Sequence, residues 1–125
     1  MLLLLAEKAN KMTIIEFKNK LKSNPEQIEF SDTMTVIEEN YEFTPTSFTN
    51  GTLENKEGQN SGSFKLFAFS IDQKLTKEET LACFGEHYFE NVLKEPKGTG
   101  HQNIRNFMKT GFEGLDFKAF PLKKK

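Results

Sequence analysis

The chain has 125 residues, which suits one domain with a single hydrophobic core. A net charge of −1 produces no overall field that would attract nucleic acid or a membrane surface, so neither is expected as a partner. The single cysteine, Cys83, excludes an internal disulfide, and thirteen phenylalanines without a tryptophan indicate that Phe builds the core.

Residues 1–11 are expected to form an N-terminal extension. Met1 is followed by five apolar residues and then by Glu7 and Lys8, without a basic segment in front of them. This apolar run is too short for the core of a signal peptide or for a membrane span. The sequence therefore predicts one domain at residues 12–122, with the three lysines at 123–125 as a basic tail.

Two helices are predicted in the first third of the domain. Thr13 and Glu16 have the spacing of a capping box, which places the start of a short helix at this point. Asn24 before Pro25 predicts the start of a second helix. Apolar residues at helical spacing are expected to face inward: Ile14, Phe17 and Leu21 in the first helix, and Phe30, Met34, Ile37 and Tyr41 in the second.

A hairpin and a buried segment are predicted in the middle of the chain. Asn50-Gly51 is a strong turn signal and predicts that strands at 46–49 and 52–54 pair with each other. Residues 55–63 contain two glycines and have no periodicity, so a loop is expected. Residues 64–73 are apolar on two sides, which indicates a buried helix, although so short an apolar run also fits a central strand.

The last third of the domain is predicted to contain two helices and a strand. Capping-box spacings at 76–79 and 99–102 predict helix starts, and Gly85 is expected to end or kink the first of these helices. Residues 115–119 alternate between apolar and polar, which is typical of an edge strand. The expected fold class is therefore α+β, a mostly helical single domain with a small antiparallel sheet.

The last helix carries a candidate ligand site. His101 and Arg105 lie four residues apart along one border of its apolar stripe, and Asn103 lies along the other border. The first turn of a helix favours anions, and Arg105, the single arginine of the chain, suits bidentate binding of a carboxylate or phosphate. The alternative is that His101 and Arg105 tie the helix to carbonyl groups or carboxylates of a neighbouring loop.

The polar residues between the hairpin and the central apolar segment form the second half of this candidate surface. Their amides and hydroxyls suit a polar ligand and suit the loop backbone equally well. His87, His101 and Cys83 have no metal-ligand spacing, so neither a metal nor another cofactor is predicted. The complete set of candidate ligand-binding residues is Asn50, Asn55, Asn60, Ser63, Lys65, His101, Asn103 and Arg105.

Five segments of the chain resemble the HopJ type III effector family, and the resemblance runs from Met12 to about Leu122. The segments are IEFSDTMTVI, YEFTPTSFTNG, GQNSGSFKLFAF, TLACFGEHYFENVL and GTGHQNIRNFMKTGF. The resemblance implies a virulence-related protein, since the family is named for an effector that plant-pathogenic bacteria deliver to dampen host defence. It assigns no catalytic residue to this chain.

The expected function is binding of a protein partner or of a small polar or anionic ligand. The alternative is a small cytosolic enzyme with His101 as general base and Arg105 as anion clamp. Type III export signals are typically rich in Ser, Thr, Ile and Asn, whereas the first serine here is Ser23. We therefore expect a cytoplasmic location, with secretion into a host cell, and a host protein as partner, as the alternative.

Overall fold

The computed structural model describes residues 12–125, and the predicted extension at residues 1–11 lies outside the described residues. The fold is α+β and mostly helical, as predicted. Residues 12–125 contain five α-helices: α1 (Ile14–Ser23), α2 (Phe30–Asn40), α3 (Ser61–Asp72), α4 (Lys77–Ala82) and α5 (Gln102–Thr110). A π-helical segment spans His87–Val92, and two 3₁₀ turns span Pro25–Gln27 and Gly111–Gly114.

The strands form two small antiparallel sheets in the described part of the chain. They are β1 (Tyr41–Phe43), β2 (Phe48–Asn50), β3 (Leu53–Asn55), β4 (Leu115–Phe117) and β5 (Leu122–Lys124). The three-stranded sheet has the order β3-β2-β4, so it joins the predicted hairpin to the predicted edge strand. The hairpin strands lie at 48–50 and 53–55 instead of the predicted 46–49 and 52–54, because Asn50 pairs with Leu53 and the turn falls at Gly51-Thr52. The second sheet, β1 with β5, was not predicted.

Two capping boxes formed as predicted, and two predicted helix starts were wrong. Thr13 and Thr76 cap α1 and α4 together with the glutamates three residues later. The second helix begins at Phe30, where the Glu29 amide donates to Asp32 Oδ2. Asn24 makes no side-chain capping hydrogen bond, and a 3₁₀ turn follows it. In the segment at 99–102, the Gln102 amide donates to the Thr99 carbonyl, and α5 begins only at Gln102.

The three terminal lysines do not all lie in a free tail. Lys123 and Lys124 belong to β5, where they lie opposite Glu42 and Tyr41. Leu122 of the same strand is buried, and the Thr44 amide donates to the carbonyl of Pro121. The segment is held by the burial of Leu122 and by main-chain pairing with β1. Three consecutive lysines do not indicate a strand in the sequence.

Helix α3 runs through the centre of the core. The apolar run at 64–73 lies in this helix and is not a central strand. Phe64 and residues 66–70 are all buried, so the helix is covered on more than one face. Phe67 contacts rings from three directions: Phe48 at 6.5 Å, Phe84 at 5.6 Å and Phe107 at 5.0 Å between ring centroids. The three-stranded sheet, the segment after α4 and helix α5 therefore pack around one central helix.

Candidate functional site

A cleft of about 430 Å³ lies where α3 and α5 begin, and we call it the α3–α5 cleft. It is lined by both predicted polar segments, which therefore meet in space: residues 60–63 and the start of α5. The predicted loop at 55–63 is shorter than expected, because Asn55 ends β3 and α3 already begins at Ser61. One part of its lining consists of amide and hydroxyl side chains and another consists of rings. The polar residues are Asn60, Ser63, Gln102 and Asn103, and the ring residues are Phe30, Phe84, His87 and His101.

Both helices that open into the cleft start from a left-handed residue. Asn60 precedes α3 with φ 52° and ψ 42°, and His101 precedes α5 with φ 55° and ψ 51°. Neither side chain makes a capping hydrogen bond to its helix. The amide groups of the first turns therefore lack an N-cap side-chain acceptor at the cleft, and the helix dipoles favour negative charge there.

The absence of a side chain at Gly62 lets Phe30 approach the start of α3. A Cβ atom at this position would lie 3.0 Å from the Phe30 ring. In helix α3 the glycine therefore serves close packing, since only a displaced Phe30 would accommodate a larger residue. One wall of the cleft thus depends on contact between α2 and the first turn of α3.

Two imidazole rings lie side by side in the cleft. The centroids of His87 and His101 are 5.0 Å apart and the rings are tilted by 30°. Partial desolvation against the cleft wall lowers the pKa of His101, and the nearby His87 and Arg105 lower this pKa further. His101 is therefore neutral at pH 7, with one ring nitrogen as donor and the other as acceptor.

No signal in the sequence placed His87 in the candidate site. Along the chain, His87 has no metal-ligand spacing to Cys83 or His101. In the structure the π-helical segment and a left-handed Gly85 turn bring His87 across to the start of α5. The two histidines lie fourteen positions apart along the chain, so their contact is tertiary and gives no periodic signal.

Beside the cleft, four of the predicted asparagines form a hydrogen-bonded amide cluster. Asn50 Nδ2 donates to the carbonyl and the Oδ1 of Asn103, at 2.8 and 3.0 Å. The Oδ1 of Asn55 accepts from Asn60 at 2.6 Å and from Asn103 at 3.0 Å. The cluster joins the β2–β3 hairpin to α5 and to the start of α3. Most of its polar groups form the hydrogen bonds that make these connections.

The amide cluster is also strongly buried. Asn50, Asn55 and Asn103 are 0 %, 2 % and 6 % exposed, and Asn50 Oδ1 has no hydrogen-bond partner among residues 12–125. Burying an amide is unfavourable unless its polar atoms are hydrogen-bonded, and the other amide groups of these three side chains find partners within the cluster or on the main chain. Asn60 and Asn103 also line the cleft, so they connect the structural cluster to its open side.

Arg105 faces a different groove from His101. Its Nε donates to the Gly100 carbonyl at 2.6 Å, and its Nη1 donates to the Glu95 carbonyl at 2.8 Å. The guanidinium thereby holds the loop that leads into α5. Arg105 lines this groove together with Lys97 and Lys109, and His101 does not line it.

Lys65 does not line the cleft either. Its Nζ lies 3.4 Å from a carboxylate oxygen of Glu38 and 4.9 Å from the centre of the Phe43 ring. Of the predicted site residues, the structure therefore brings Asn60, Ser63, His101 and Asn103 to the cleft. Asn50 and Asn55 lie behind them, and Arg105 and Lys65 lie elsewhere.

Residues 12–125 contain no group of three or more His, Cys, Asp or Glu side chains arranged to hold a metal ion. Within the same range, the helices are too short or too polar to cross a membrane.

Comparison with known proteins gives one family and one solved structure. The family described as HopJ type III effector protein matches residues 14–122, in agreement with the five resembling segments. A crystal structure of the unknown function protein VPA0580 is 53% identical and superposes with a TM-score of 0.89. The match covers 92% of this chain and 96% of the other. A search of curated proteins gave no match.

Proposed function

This chain belongs to the HopJ type III effector protein family, and we propose that it acts by binding a small anionic ligand in the α3–α5 cleft. One observation carries the proposal: two helix starts without side-chain caps and two histidines line the same open cleft. Helix N-termini and imidazole N–H groups are donors to anions. The cleft volume lies within the range of ~300–1,000 Å³ that is typical of small-molecule sites.

The charges of the cleft support an anion over a cation. Among the described residues that line it, none carries a carboxylate. The ligand's charge would therefore meet amide donors, hydroxyls and imidazoles. A cation would find only neutral acceptors, and it would be repelled by the positive ends of two helix dipoles.

The placement of Arg105 favours binding over the enzyme alternative. Arg105, the anion clamp of the enzyme alternative, already donates to two main-chain carbonyls and lines another groove. A general base at His101 would then act without its charged partner. His87 adds a second imidazole to the cleft, but a proton-transfer role would still require a substrate whose reactive atoms lie near these rings.

Sulfate tests the proposal, because it stays dianionic between pH 5 and 8. A ligand that binds only the folded state raises the free energy of unfolding by about 2.7 kcal/mol at a hundred times its Kd. We expect sulfate to raise the melting temperature of the natural protein more than that of His101→Gln. The matched control is Lys65→Gln, which removes a charge outside the cleft.

General salting-out by sulfate stabilises all three proteins equally and cancels in this comparison. If sulfate raises the melting temperature of His101→Gln less than that of Lys65→Gln, the result supports anion binding in the cleft. The opposite order, or equal effects in all three proteins, contradicts it.

Family membership also supports a proposal about delivery. The family name describes type III effectors, so a host protein is the proposed partner if the chain is delivered. A cytoplasmic place of action is the competing proposal, based on the composition of the first thirty residues. A reporter enzyme fused after residue 30 distinguishes them: translocation by a type III apparatus supports delivery, and retention in the producing cell supports the cytoplasm.

A further inference from the structure

The ring residues of the α3–α5 cleft form one continuous row. The rings of Phe84 and Phe30 are stacked, with centroids 6.2 Å apart and planes within 6° of each other. Phe30 is followed by His87 at 4.9 Å, and His87 by His101 at 5.0 Å. All three distances lie in the ~4.5–7 Å range over which aromatic rings attract each other.

This row leads from the core to the mouth of the cleft. Phe84 is buried at 1 % exposure, Phe30 and His87 are half-buried, and His101 is exposed. In the described part of the chain, the ring contact of His101 is with His87. The row therefore ends in the cleft at an imidazole that still has ring surface available.

The cleft is also larger than a bare inorganic anion requires. An anion held by the helix starts would occupy a small part of about 430 Å³ and leave the ring row in contact with water. Neutral amides and a hydroxyl, from Asn60, Gln102 and Ser63, line the same space. Such groups bond to the polar edge of a flat ring without adding charge.

We infer that the ligand of this cleft carries a planar aromatic ring as well as its anionic group, with the ring packed against the His87–His101 pair. This inference rests on the proposed function, because it concerns the same cleft. It specifies the class as small aryl or heteroaryl phosphates or carboxylates. The ring would extend the row Phe84, Phe30, His87 and His101, while the anion would lie at the helix starts.

Phenyl phosphate and cyclohexyl phosphate test the inference, since they share charge and approximate size and differ in aromaticity. Titration calorimetry on the full chain should give a Kd about three- to tenfold lower for phenyl phosphate, the range expected for one aromatic pair. Benzoate and cyclohexanecarboxylate form a second pair. Aromatic preference in either pair supports the inference, and the pair with tighter binding identifies the anionic group.

His87→Gln removes one ring of the row and keeps an amide at that position. We expect it to bring the two phosphates to nearly equal affinity, and Lys65→Gln to retain the aromatic preference. If His87→Gln fails to fold, the ratio measured on the natural protein still decides. Equal affinities within both pairs, or no binding of any of the four compounds, overturn the inference.

The two proposals fail in distinguishable ways. If sulfate stabilises the protein through His101 but aromatic compounds show no preference, only the inference about the ring is wrong. If His101→Gln leaves the sulfate effect unchanged, the anion site itself is wrong.

Discussion

At the scale of single residues, Arg105 is tied to the main chain. Its planar fork donates to two carbonyls, those of Glu95 and Gly100, at the loop that precedes α5. A lysine places one ammonium group on a flexible stem and does not reproduce two diverging bonds from one rigid plane. The single arginine of a lysine-rich chain therefore occupies a position where its geometry is used.

Replacement of the Arg105 guanidinium group should lower the stability of the fold without removing the anion site. We expect Arg105→Lys to decrease the free energy of unfolding by about 1–3 kcal/mol, since a charged hydrogen bond is left unmade. Urea unfolding measures this change, and Lys109→Gln is the control for losing a surface charge nearby. Sulfate should still stabilise Arg105→Lys. An unchanged unfolding midpoint would mean that the two carbonyl bonds contribute nothing.

His101 should make stability depend on pH. Its pKa is lowered in the folded state by partial desolvation, by His87 and by Arg105, so the unfolded chain binds a proton more readily. The corresponding stability is fully present above the unfolded pKa of about 6.5. It is lost as the pH falls from there through the lower folded pKa.

Urea unfolding at pH 7.5 and pH 5 tests this dependence. The natural protein should lose more stability on acidification than His101→Gln does. Bound sulfate should also raise the pKa of His101, which NMR titration of the ring protons measures directly. Equal acid sensitivity in the two proteins would show that His101 titrates alike in the folded and unfolded states.

At the scale of elements, the turn between α4 and the π-helical segment depends on Gly85. Its φ is +57°, and a Cβ atom would lie 2.5 Å from the Phe30 amide nitrogen and 2.7 Å from the Ile28 carbonyl oxygen. Main-chain atoms cannot move aside as a flexible side chain can. This glycine therefore sets how closely the His87 segment approaches the start of α2.

Gly85→Ala should combine backbone strain with a steric clash. We expect a loss of about 3–5 kcal/mol in the free energy of unfolding. Gly58→Ala is the control, because Gly58 has φ +87° but no atom of the described residues lies within 4 Å of an added Cβ. Backbone strain alone should lower the free energy of unfolding of Gly58→Ala by about 1–2 kcal/mol. Equal losses in the two variants would show that the contact with Phe30 is unimportant.

Local sequence signals predicted elements where the signal and the structure involve the same few residues. The Thr13 and Thr76 capping boxes are of this kind. The hairpin also formed, but its turn lies one residue later than predicted, at Gly51-Thr52, because Asn50 pairs with Leu53. At Thr99 the spacing was right, but the Gln102 side chain bonds to a carbonyl instead of completing a box. The pairing of β5 with β1 joins distant segments and depends on tertiary packing, so no local pattern predicts it.

At the scale of the whole molecule, the fold is organised around the ring of Phe67. It contacts Phe48 of β2, Phe84 beyond α4 and Phe107 of α5. Composition alone predicted a core built of phenylalanine. The part of the site that composition and spacing missed, His87 beside His101, follows from this packing, because it depends on how the helices assemble around α3.

Phe67→Ala should therefore be among the most damaging core substitutions. We expect a loss of about 3–5 kcal/mol, from the removed apolar surface and the cavity left at the junction of three elements. Phe120→Ala is the control, since Phe120 is 49% exposed and should change stability by less than about 0.5 kcal/mol. Similar unfolding midpoints for the two variants would contradict a core centred on α3.

Binding of a small anion in the α3–α5 cleft can be observed by NMR titration of the ¹⁵N-labelled protein with sulfate. We expect saturable shifts of the amide signals of Gly62, Ser63, Gln102 and Asn103, at the two helix starts. Shifts confined to the basic groove of Lys97 and Lys109, or no saturable shift, would contradict an anion site in the cleft.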